Sequence, residues 1–206
     1  MAKQVFPTKS NLISTRKSLS LAKLGYELMD RKRNILVREM MELIDKANEI
    51  QGSIDSLYAD AYIALQRANV TLGICDEAAQ TIPIDESVEL DSRSVMGVEI
   101  PIVRIGQQND RKLHYGLYCT NSQLDEAYIM FDKVKHLTAE LAQVENSVYR
   151  LATAIKKTQK RANALHNIMI PQFESTIKFI NEALEEKERE DFSRLKAIKS
   201  QRGPQS

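Results

Sequence analysis

The residues in this chain that could do chemistry are few and scattered. Three histidines, His114, His136 and His166, stand alone, with neither an HExxH spacing nor a cysteine beside them, so they read as surface or half-buried structural residues. The two cysteines, Cys75 and Cys119, show no CxxC or metal spacing, as expected for a reducing cytoplasm. There is no GxxxxGK[ST] phosphate loop and no GxSxG nucleophile elbow, and "RIGQQND" reads as a loop rather than a phosphate cradle. Paired carboxylates such as Glu185 and Glu186 read as a solvated helix face. No catalytic residue, cofactor or metal is expected. What remains is charge, in two blocks: "RKRN" at Arg31 to Asn34 and "KKTQKR" at Lys156 to Arg161. One block alone reads as a solvated face with intrahelical ion pairs. Two blocks brought to one level form a belt of Arg31, Lys32, Arg33, Lys157, Lys160 and Arg161, so the elements that carry them decide its meaning.

Those elements are long helices. Of 206 residues 28% are charged, 6% are aromatic and none is Trp, a profile of helices with a narrow buried seam rather than a thick core. From Leu12 an alternating 3-4 step runs for eight heptads through Thr15, Leu19, Ala22, Tyr26, Met29, Arg33, Leu36, Met40, Leu43, Ala47, Ile50, Ile54, Leu57, Ala61, Ala64 and Ala68. Fifteen of these seventeen positions are apolar, far above the half expected of a chain that is 43% apolar. A 3.5-residue repeat held this long predicts a left-handed coiled coil. The helix is expected over about residues 9 to 78, roughly 100 Å at ~1.5 Å per residue. A second helix starts at an Asn121 or Ser122 cap, with Asp125 and Glu126 in its first turn. Its seam includes Leu141, Val148, Ile155, Leu165 and Met169, then steps by four through Phe173 and Ile177, a stutter that locally unwinds a left-handed coil.

Between the helices, "SVELDSRSVMGVEIPIVRI" alternates with period two at Val88, Leu90, Val98, Ile100 and Ile102. This predicts a short β-hairpin with a turn near Asp91 to Ser94 and Pro101 on an exposed edge. The expected fold is therefore all-α: a long antiparallel two-helix left-handed coiled coil with a short β-hairpin between the helices. Residues 1–80 hold the first helix, 81–119 the connecting segment with its acidic hairpin, 120–200 the second helix and 201–206 a tail. Folding back about a centre near residue 97 places partners whose numbers sum to about 195. Residue 33 then lies opposite about 162, which brings the basic blocks together, and Cys75 lies opposite Cys119. Residues 1–40 hold nine basic and three acidic residues, whereas Leu72 to Ile102 hold seven acidic and one basic. A part charged so differently at its two ends suits different partners there.

No run of eighteen apolar residues occurs, so no membrane insertion is expected, and "MAKQVFPTKSNL" lacks the apolar stretch of a signal peptide. The expected location is cytoplasmic. Nucleic acid is not expected as a partner, because interleaved aromatics and Gly-rich loops are missing and the net charge is only +1.

Several stretches carry a family likeness. "FPTKSNLISTRKSLSLAKLGYELMDRKRNIL" and "KKTQKRANALHNIMIPQFESTIKFINEALEEKEREDFSRLKAIK" resemble the opening and the C-terminal helix of the D subunits of V-type (vacuolar and archaeal-type) ATPases. The pieces "PTKSNL", "RANAL" followed by "IP", and "LEEKERE.F.RLK" are together highly specific, and the likeness covers the whole chain in order. It implies a non-catalytic rotor shaft, peripheral to the membrane through its complex. The terminal end of the shaft would penetrate a ring of A and B subunits, the small F subunit would clasp it, and its base would rest on the subunit that caps the membrane rotor. On that reading the basic belt faces acidic loops of the ring. Pro171, which lacks an N–H, would loosen the turn around residues 167 to 171, and kink and stutter together would give the shaft its eccentricity. The alternative is a coiled-coil scaffold or tether that serves no motor.

Overall fold

The computed structural model describes residues 6–106, 115–116 and 120–201. Helix α1 (Lys9–Leu72) leads to a short α2 (Asp76–Gln80), the strands β1 (Val88–Val95) and β2 (Val98–Ile105), and helix α3 (Ser122–Ala164). A π turn (Leu165–Met169) joins α3 directly to α4 (Ile170–Gln201). Among the described residues the chain is thus mainly helical, with one two-stranded antiparallel sheet. No described helix is long and apolar enough to cross a membrane.

The helix ends follow local chemistry. Thr8 caps α1, its Oγ1 accepting from Asn11 N–H at 3.2 Å, and Asn121 caps α3, its Oδ1 accepting from Leu124 N–H at 3.1 Å. Each satisfies a backbone donor that the first helical turn leaves without a partner. Helix α1 stops at Leu72, short of the expected end near residue 78, because Gly73 takes a φ of 83° that ends the ladder. Cys119 lies outside the described residues, as does His114, so the expected proximity of Cys75 and Cys119 falls there too.

Two compact units divide the chain: one holds the residues up to Arg33 and from Lys156 onward, the other Asn34–Ile155. In the first, Lys9 pairs with Glu188 at 3.1 Å and Lys23 with Glu174 at 2.8 Å. Partner numbers fall as those of α1 rise, so the two helical stretches run in opposite directions. Ala22, Ala162 and Ile180 are buried between them. In the second unit Lys46 meets Glu140 at 2.6 Å and Thr71 meets Gln123 at 2.9 Å, again with opposite sense. Its core centres on Leu36, Ile100 and Leu151, with Met40, Leu43, Val95, Val98 and Ile155 packed around them. At its other end Ala61, Ala64, Ala68 and Ala127 are buried, small residues that let helices approach closely.

The hairpin turn is not at Asp91 to Ser94, which lie within β1, but at Met96 and Gly97. Both have positive φ, 50° and 76°, as a two-residue type I′ turn requires, and this twist matches the flanking strands. The polar run "DSRS" reads as a turn only because β1 lies in the open, exposed along most of its length.

Candidate functional site

The six belt residues are on facing stretches of one unit. Arg33 Nη1 donates to Gln159 Oε1 at 2.9 Å, so the two basic blocks meet at one level. Gln159 is fixed in turn, its Nε2 donating to Asn163 Oδ1 at 2.9 Å. The surroundings of the six differ. Arg33 is half-buried and pairs with Asp30 at 2.5 Å, while Arg31 pairs with Glu27 at 2.5 Å one turn earlier. Lys32 is half-buried, and Lys157, Lys160 and Arg161 are exposed; among the described residues none of these four side chains has an ion pair or hydrogen bond. Positions 157, 160 and 161 share one helix face by their spacing, opposite the buried Thr158 and Ala162. The arrangement offers four uncompensated cations on a rigid helical surface, which suits reversible contact with carboxylates. It offers no nucleophile or acid–base pair.

The helix seam positions are placed as follows. Leu36, Ile50 and Leu151 are buried, and Leu19, Met29, Leu43, Leu57, Leu141, Val148, Ile155 and Leu165 are half-buried. Met169 departs from the expected seam, being exposed, and Ile170 takes the inward place instead. The reason is the π turn: Ile170 N–H bonds to the Leu165 carbonyl five residues back, so one extra residue fits into the turn. The inward step there is five residues, not four. The helix runs on through Pro171 to Gln201. The loosened ladder spans 165 to 169, two residues ahead of the expected 167 to 171. At this turn His166 lies against Tyr26, ring centroids 4.9 Å apart, and its Nδ1 is 2.8 Å from Asn167 Oδ1.

A second feature, in the other unit, has no counterpart in the sequence reading. Leu65, Ile74, Ile82, Leu124, Ala127 and Phe131 line a cavity of about 530 Å³. At its rim Lys135 donates to Asp85 at 2.7 Å and pairs with Asp132 at 2.8 Å, and Ser87 N–H donates to Asp85 at 2.9 Å. The Lys135 hydrogen bond first, then Ser87, hold the Asp85 carboxyl well below the usual range. Burial acts to lower the Lys135 ammonium, but its hydrogen bonds to Asp132 and Asp85 prevail and shift it upward. Tyr115 donates to Asp125 at 2.6 Å, and burial, then this bond, push its hydroxyl upward. The Tyr115–Asp125 and Lys135–Asp85 contacts join residues 10 and 50 apart, so no spacing rule finds them. Among the described residues no group of His, Cys, Asp or Glu could hold a metal ion.

The chain is similar to a family described as the D subunit of ATP synthase, whose sequence profile matches residues 11–200. It is 45% identical over 197 residues to the V-type ATP synthase D subunit of Thermotoga neapolitana, covering 95% of this chain and 97% of that protein. It is 36% identical over 198 residues to the A-type ATP synthase D subunit of Methanopyrus kandleri, covering 95% and 85%. With the A-type ATP synthase D subunit of Thermococcus kodakarensis it shares 34% over 200 residues, covering 95% and 94%.

Proposed function

The chain belongs to the family of V/A-type ATP synthase D subunits, and on that premise we propose that it is the central rotor shaft of a V-type ATPase. It transmits torque between the A/B catalytic ring and the ion-translocating rotor in the membrane. The observation that carries this is likeness to V-type and A-type D subunits along nearly the whole chain. The half-buried and buried 3-4 seam of α1 supports it, since that pattern is what a left-handed coiled coil needs.

The chain acts without catalysis. Shape changes in successive A/B pairs push the shaft from one position to the next, which needs stiffness and asymmetry. Lys32, Lys157, Lys160 and Arg161 face acidic loops of the ring, with Arg31 and Arg33 holding the same belt in place. Exposed ion pairs of ~0.2–1 kcal/mol each form and break easily enough for a moving contact. The π turn ahead of Pro171 supplies eccentricity, and the F and stalk-base subunits bind elsewhere on the shaft. The chain is peripheral to the membrane and works from the cytoplasmic side.

Reconstitution tests this reading. Purified A and B subunits are assembled with and without the chain and its F partner, and assembly and steady-state ATP hydrolysis are measured. The expected result is one copy of the chain per ring and a changed turnover. A chain that stays free of the ring contradicts it.

A further inference from the structure

The two strands of the hairpin have very different outer edges. The bonded pair Ser87–Gly106, with Gly106 N–H on the Ser87 carbonyl at 3.0 Å, sets the alternation along the ladder. The backbone groups of Glu89, Asp91, Arg93 and Val95 therefore face β2, and the N–H groups of Val88, Leu90, Ser92 and Ser94 point away from it. On β2 the outer edge is occupied by α3: Val103 N–H donates to Gln143 at 2.7 Å, and the Glu99 carbonyl accepts from Arg150 at 3.2 Å. Pro101 has the same parity as Val103, so its missing N–H costs the ladder nothing. On β1 the only outward N–H with an acceptor among the described residues is that of Ser92, bonded to its neighbour Asp91 at 2.7 Å.

Such an edge is a ready template for another strand, and proteins normally blunt it with charged side chains, lysine above all, or with proline, a bulge or a very short length. Strand β1 is eight residues long, pairs without interruption and contains no Pro, Lys or Gly, and of its three charges Asp91 and Arg93 are already paired, with Arg104 and Glu39. The face beside the edge is apolar as well. Leu90 is 77% exposed and Val88 50%, and Pro101, Val103 and Ile105 continue the patch on β2. The inner face is already packed, with Ile100 buried against Leu36 and Leu151. The sequence "IPIV" in β2 is thus apolar on both faces, the pattern of a strand covered on both sides. The charge is one-sided. Arg93 is paired with Glu39 and Arg104 with Asp91, whereas the carboxylates of Glu86, Glu89 and Glu99 have no ion pair among the described residues, the Arg150 guanidinium bonding to the Glu99 backbone carbonyl.

We propose that the open edge of β1 accepts one extended strand from a partner protein, a strand bearing lysine or arginine beside apolar residues. The hairpin then becomes a three-stranded sheet. Backbone hydrogen bonds at Val88, Leu90 and Ser94 provide the register, Leu90 and Val88 the apolar contact, and the unpaired carboxylates the choice of a basic strand. The inference goes beyond the rotor reading but rests on it for the assembly in which the partner strand is met.

Residue-resolved amide exchange on the full chain, free and within the reconstituted complex, tests this. In the free chain Val88, Leu90 and Ser94 exchange fast while Arg93 and Val95 are protected. In the complex the first three slow by roughly tenfold or more. Leu90→Pro removes an outward N–H without touching a ladder bond, so it abolishes the new protection at Val88, whereas Leu90→Thr keeps it. Fast exchange at Val88, Leu90 and Ser94 in a chain that co-elutes with the complex overturns the strand and leaves the rotor reading intact. Protection at Val88 that survives Leu90→Pro also overturns it. A chain absent from the complex peak overturns both.

Discussion

Arg33 Nη1 donates to Gln159 Oε1 at 2.9 Å, joining residues 126 positions apart in the sequence. That bond brings the two basic blocks together, and it separates the belt into two kinds of cation. Arg33, also paired with Asp30, holds the unit together, whereas Lys32, Lys157, Lys160 and Arg161 are free to meet a partner. Arg33→Ala is expected to cost about 1–2 kcal/mol in chemical denaturation, because it leaves half-buried partners unsatisfied. Changing the other four to Gln leaves stability within about 0.5 kcal/mol but weakens the coupling of ATP hydrolysis to the shaft. Unchanged coupling would remove the belt from the ring contact.

Leu36 and Leu151 are fully buried in one cluster with Ile100. Either Leu→Ala change is expected to lose about 2–5 kcal/mol, measured from urea midpoints. Met169→Ala, at a position the π turn rotates outward, should cost less than ~1 kcal/mol. Equal losses at Met169 and Leu151 would mean that the turn is α-helical and that Met169 points inward.

The hairpin turn places a methionine at a φ of 50°, a conformation that asparagine adopts more readily. Met96→Asn is therefore expected to slow amide exchange at Arg93 and Val95. Gly97→Ala, at a φ of 76°, should speed it through a penalty of roughly 1–2 kcal/mol. If both changes act alike, the turn is elsewhere.

The Asp85 carboxyl is held below its ordinary value by Lys135 and Ser87. A folded-state value below the unfolded one, about 3.9, stabilises the fold above the unfolded value and loses that effect as pH falls toward the folded one. The difference in urea midpoint between the natural chain and Asp85→Asn should be constant above about pH 5 and close steadily below about pH 4. A difference that persists unchanged into strong acid would show that the ion pair with Lys135 contributes nothing.

Much of this architecture is legible in the sequence, because its cause is periodic or local. The heptad spacing of Leu36, Ile50 and Ile54 marks an inward stripe, the Asn121 cap is readable from its neighbours, and the blocks at Arg31 and Lys157 stand out by composition. Other features escape for physical reasons. Gly73 inside an otherwise helical pattern gives no sign that its φ turns positive. The extra residue at Leu165 to Met169 depends on how the facing stretch packs, and a stutter of four can be read where a step of five occurs. The Asp85–Lys135 pair links residues 50 apart, and only the folded chain brings them together.

Whether the chain is a rotor can be decided by watching it turn. With the A/B ring fixed to a surface, a bead is attached through Ser94→Cys on the hairpin, in a chain whose native cysteines are replaced, and ATP is added. A rotor shaft carries the bead round in one direction, in steps, and stops when ATP is withdrawn. A bead that stays still while the same rings hydrolyse ATP and retain the chain would contradict that role.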